Sequence, residues 1–121
     1  MARDKTLARV LKLRRLDLEG LQGRMGEADA RTRAAVAARA AVSAQVDELP
    51  RPGTCPSPPL LFARLDALTT KAEQLAADIE QAASDRARAE TEALLVRAEC
   101  EGIETFLKRQ AQLRHRTSKW R

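Results

Sequence analysis

All five prolines of this 121-residue chain fall between Pro50 and Pro59, and a seven-residue apolar repeat runs on either side of them. Proline removes a helical donor and clashes with the preceding turn, so no regular helix crosses that stretch. A sustained heptad, in turn, is a helix that must lay its apolar stripe on another helix. Upstream the stripe reads Leu7, Leu11, Leu18, Leu21, Met25, Ala28, Ala35, Val42, Val46 and Leu49, interrupted by Arg14, Thr32 and Arg39. Downstream it reads Leu61, Leu65, Leu68, Ala72, Leu75, Ile79, Ala82, Ala89, Ala93, Val96, Cys100, Ile103 and Leu107, interrupted by Arg86. The pattern predicts an all-α fold, a long antiparallel two-helix coiled-coil hairpin with a proline-rich turn. It forms one domain over 1–121, with a helix from about 4 to 49, a turn over 50–59 and a helix from about 60 to 116.

Local signals refine this outline. Asp4 suits an amino-terminal cap, its carboxylate accepting from free backbone N–H groups. Proline is tolerated in the first turn of a helix, which places the second start at Pro59 or Leu60. Phe62, beside the turn, is expected to plug that end of the seam. Pairing outward from Leu49 and Leu61 sets Leu7 near Ile103 and leaves Phe106 to Arg121 as an overhang without an internal partner. Gly20, Gly23 and Gly26 stand off the seam, where they either soften the helix or form a hinge. A charge buried alone on the seam is costly, so Arg14, Arg39 and Arg86 must snorkel or pair, and polar seam residues of this kind fix register.

Composition supports helices over a globular core. Charged residues make up 32% of the chain, tyrosine is absent, and Phe62, Phe106 and Trp120 are the aromatic residues. Alanine, leucine, arginine and glutamate are good helix formers. An alanine-rich seam buries little area, at roughly 25 cal/mol per Å², and predicts modest stability. Neither a secretory hydrophobic region nor a run of transmembrane length is present. Cys55 lies in the turn and Cys100 about 45 residues along an arm, roughly 65 Å away at 1.5 Å per residue, too far for a disulfide. A reducing cytoplasm fits, with Cys100 as a small seam residue.

Charge is strongly segregated. Residues 1–16 carry six basic groups against Asp4, net +5; residues 105–121 carry six and no acid, net +6; the middle is net −6. A hairpin folded at the prolines brings both basic segments to one end, opposite an acidic shaft. Cations at flanking heptad positions also solubilise a helix and suit its carboxyl end, but those roles do not require so many at one place. An acidic partner is the natural complement.

No catalytic constellation is visible. His115 is the only histidine, two distant cysteines make no zinc site, and no glycine-rich phosphate loop follows a strand. The chain is therefore expected to be non-enzymatic and to need no cofactor or metal. Glu90, Glu92, Glu99, Glu101 and Glu104 read as a solvated face able to pair with nearby arginines. A pI near 9.9 raises nucleic acid as a partner. The acidic shaft and the scarcity of stacking aromatics argue against it.

The stretch Leu7-Ala8-Arg9-Val10-Leu11-Lys12-Leu13-Arg14-Arg15 is similar to the basic, leucine-rich start of the FliJ/YscO group of type III export proteins. Glu101-Gly102-Ile103-Glu104-Thr105-Phe106-Leu107-Lys108-Arg109 resembles the same group's late segment, in which an apolar-aromatic pair precedes basic residues. As an architecture the resemblance covers almost the whole chain. It implies a coiled-coil stalk whose two-terminus end enters an export ATPase ring, and which also contacts the export-gate membrane protein and export chaperones. It further implies that the ATPase-binding residues are Arg3, Arg9, Lys12, Arg14 and Arg15 with Phe106, Lys108, Arg109, Arg114 and Arg116. Location would be cytoplasmic, peripheral to a membrane export complex. A generic coiled-coil scaffold or chaperone adaptor is the alternative reading of the same pattern.

Overall fold

The computed structural model describes residues 2–119; Met1, Trp120 and Arg121 lie outside the described residues, and with them the last cation of the carboxyl-terminal basic segment. Two helices, α1 (Ala2–Asp47) and α2 (Pro58–Lys119), form the hairpin and are joined through a short 3-10 turn at Pro52–Thr54. No strand occurs among the described residues.

The proline cluster stops α1 and starts α2 by different means. Leu49 precedes Pro50 and is thereby biased away from helical geometry; its N–H already bonds the Val46 carbonyl at 3.1 Å, a tightened last turn. Across the turn the Thr54 N–H and hydroxyl both donate to the Arg51 carbonyl, at 2.9 and 3.0 Å. The Cys55 thiol donates to the Ser57 carbonyl at 3.4 Å. That same carbonyl accepts the first bond of α2, from the Leu61 N–H at 3.2 Å. Pro58 and Pro59 therefore occupy the first turn of α2, where a missing donor costs nothing.

The chain packs as two units, each containing part of both helices. The first joins residues 2–25 to 87–119. Its core is Leu21 against Ala89 and Ala93, with Leu18, Met25 and Val96 packed around them. Leu11 and Cys100 are also buried in this unit. The second unit covers 26–86 and encloses the turn. Its buried residues are Ala28, Ala35 and Val42 from α1 with Leu61, Leu68 and Ala82 from α2. Small alanine side chains leave an open groove of about 520 Å³ beside this seam, lined by Ala34, Ala35, Ala38 and Leu75 and rimmed by Arg31 and Asp78. All eleven buried apolar residues among those described occupy expected heptad positions. The hydrophobic term thus comes from one narrow stripe per helix.

Interruptions of the stripe are resolved locally. Arg86, half-buried, donates from Nε to Asp29 at 2.9 Å. Arg14 bridges Asp17 at 3.3 Å and, across the helices, Glu99 at 3.0 Å. Thr32 returns its hydroxyl to the Ala28 carbonyl at 3.0 Å. Arg39 turns out to solvent and the neighbouring Ala38 is half-buried in its stead, which spares the seam a charge.

Three local expectations are corrected. Asp4 is not a cap: α1 already runs from Ala2, so Asp4 lies inside the first turn and forms an ion pair with Arg114. Phe62 is 54% exposed and plugs nothing, because Leu61, one residue earlier, takes the buried position. The overhang is shorter than the heptad alone suggests. Phe106, Leu107 and Gln110 are half-buried, and the residues exposed without interruption are 111–119. The cross-helix pairs Arg14–Glu99, Arg15–Glu104 and Arg114–Asp4 set α1 farther along α2 than pairing outward from Leu49 and Leu61, with Leu7 near Ile103, would do, and that register accounts for the shift.

Candidate functional site

Both basic segments belong to the first unit, one on each helix. Helical periodicity sorts their cations into two sets. Those flanking the seam are paired. Arg14 engages Asp17 and Glu99, Arg15 reaches Glu104 at 2.6 Å, and Arg114 meets Asp4. These pairs are largely solvent-exposed, so each is worth about 0–1 kcal/mol, and their effect is mainly to cancel charge beside the seam.

The second set faces outward. Lys5, Arg9 and Lys12 follow one another at four- and three-residue spacing, which places them on one strip of α1. Arg109, Arg116 and Lys119 form the equivalent strip on α2, with Gln112 between them. Arg3 and Lys108 are likewise exposed. None of these eight makes an ion pair among the described residues. Of the ten residues implied as ATPase-binding, Arg3, Arg9, Lys12, Lys108, Arg109 and Arg116 thus present free charge. Arg14, Arg15 and Arg114 are neutralised, and Phe106 is half-buried.

Such a surface carries positive charge that the packing of this unit does not cancel. Of the acids in this unit, Asp4, Asp17, Glu99 and Glu104 engage the arginine pairs, and His115 is exposed near the end of α2. No group of three or more histidine, cysteine or acidic side chains is placed to hold a metal among the described residues. Among the described residues no helix is long and apolar enough to cross a membrane.

The neutralising role of Asp4, Glu99 and Glu104 is not readable without the register between helices. A second feature is readable in the sequence by itself. Leu13 and Leu16 on α1, and Leu94 and Leu95 on α2, are 61%, 56%, 58% and 63% exposed. Leu13 and Leu16 stand three residues apart, Leu94 and Leu95 are adjacent, and all four lie off the seam. Comparison adds nothing further, as no family model, curated protein or solved structure matches this chain.

Proposed function

We propose that this chain is a non-enzymatic central-stalk and escort component of a type III protein export apparatus, cytoplasmic and peripheral to its membrane complex. The two-terminus unit enters the export ATPase ring and stimulates it, and the chain couples the ring to the export gate and to export chaperones. One observation carries the reading. Eight unpaired cations, drawn from both ends of the sequence, share one packing unit and point outward from both helices. A shaft that must turn or shift within a ring is served by such charge, which steers and aligns without locking one register.

The test uses the purified chain with a purified type III export ATPase. Reversing Lys108, Arg109 and Arg116 to glutamate is expected to abolish stimulation while leaving helical content unchanged, since none of the three takes part in folding contacts. Binding of the unaltered chain should weaken as salt rises. Normal stimulation by the reversed chain would end the stalk reading. The alternative of a scaffold or chaperone adaptor would then stand on Leu60 and Phe62, 71% and 54% exposed beside the turn, a small apolar patch at the end of the second unit.

A further inference from the structure

The exposed leucines of the first unit stand in two different electrostatic settings. Neighbours on a helix surface lie three or four residues apart. On α2, Leu94 has Glu90 on one side and Arg97 on the other, and Leu95 has Glu92 and Glu99. On α1, Leu13 follows Arg9 by four residues and Leu16 follows Lys12 by four.

The α1 face is coherent along its length. Lys5, Arg9, Lys12 and Leu16 succeed one another at steps of four, three and four, and Leu13 lies beside them, three residues before Leu16. All five are exposed, and the three cations make no ion pair among the described residues. From Lys5 to Leu16 the strip covers about 16 Å at 1.5 Å per residue. No acid occurs in the sequence between those two residues. The acids that border the strip lie past its inner end. Asp17, four residues beyond Leu13, is held by Arg14, and Glu19, three beyond Leu16, is exposed. From α2, Glu99 and Glu104 are taken by Arg14 and Arg15.

An acidic protein surface answers the three cations but gives no reason for two leucines among them. An apolar protein surface covers the leucines and strands the cations. A bilayer with anionic headgroups answers both, because its phosphates lie directly above an apolar layer. The long stems of lysine and arginine keep their charged ends at the phosphates while shorter leucines reach deeper.

We propose that the outward face of α1 from Lys5 to Leu16 lies flat on an anionic lipid surface. Lys5, Arg9 and Lys12 meet lipid phosphates, and Leu13 and Leu16 enter the boundary between headgroups and acyl chains. Two leucines make a shallow, reversible contact, so the cations carry most of the affinity. The α2 leucines, with Glu90, Glu92 and Glu99 around them, are repelled by the same surface. The inference goes beyond the stalk reading and does not rest on it, since lipid alone tests it.

Co-sedimentation of the full chain with vesicles is that test, with circular dichroism to confirm that each variant folds. The chain should sediment with vesicles of one part phosphatidylglycerol to two parts phosphatidylcholine, and stay in solution with phosphatidylcholine alone. Binding should collapse in about 1 M salt, where the screening length is about 3 Å. Lys5→Gln, Arg9→Gln and Lys12→Gln together should weaken it about a hundredfold. Leu13→Gln with Leu16→Gln should weaken it about tenfold. Leu94→Gln with Leu95→Gln should leave it unchanged. A chain that ignores the phosphatidylglycerol vesicles, or binds both kinds equally, overturns the proposal. So does an equal loss from the α2 leucine pair. A Leu13 and Leu16 variant that binds as well as the unaltered chain also overturns it, because charge alone then accounts for the contact and an acidic protein replaces the lipid.

Discussion

Replacing Gly20, Gly23 and Gly26 together by alanine probes whether α1 is one continuous helix under its own local energetics. All three lie inside α1, are exposed and have helical φ, and an added Cβ at each meets nothing within 4 Å. No clash offsets the gain. Alanine exceeds glycine by about 0.8–1.0 kcal/mol at an exposed helix interior, much of it through a less flexible unfolded chain. Three such sites, too exposed to couple strongly, should therefore add about 2.5–3 kcal/mol. For a chain of this size that corresponds to a rise of roughly 10 °C in midpoint. Urea melts followed by far-UV circular dichroism, with dilute protein so that no second copy contributes, give the free energy directly. The reasoning is refuted if the triple variant gains less than about 1 kcal/mol or loses stability. That outcome would mean that the segment bends in solution, and that glycine serves as the hinge left open by the sequence.

Two further outcomes test the packing. Leu21→Ala, at the centre of the first unit's core beside Ala89 and Ala93, should cost about 2–4 kcal/mol in urea unfolding, whereas Leu95→Ala should fall within about 0.5 kcal/mol in dilute protein. Cys55, half-buried in the turn, should react with a thiol reagent well before the buried Cys100, and Cys55→Ser should leave helicity unchanged, as both cysteines are free.

The seam was legible because burial in a two-helix packing has a single geometric requirement, a stripe repeating every 3.5 residues, and that requirement leaves its full trace in one chain's own spacing. Leu11, Leu21, Val42, Leu61 and Cys100 could each be named from position alone. Finer features depend on how far one helix stands along the other, and no spacing within a single helix records that. Asp4 was a plausible cap until Arg114 arrived opposite it. Phe106 belonged to an overhang until the register between the helices shortened it. Arg14 and Arg15 looked as available as Arg9 and Lys12, and only the cross-helix placement of Glu99 and Glu104 separates them. The gathering of the two basic segments followed from topology; which of their charges remain free did not.

The alanine lining of the second unit has a mechanical consequence. Bulky side chains interlock like deep gear teeth and must climb over one another before two helices can slide. Alanine presents a nearly smooth wall, and at Ala28, Ala35, Ala72 and Ala82 the surfaces that face each other have shallow corrugation. Sliding friction along this part of the molecule is therefore low. What resists axial creep is the pair of detents formed by Arg31 with Asp85 and Arg86 with Asp29, each closing at 2.9 Å across the helices. Both are partly hydrated and both soften in salt, so the alanine stretch loses part of its hold against lengthwise slip as ionic strength rises, while Val42, Leu61 and Leu68 nearer the turn keep theirs.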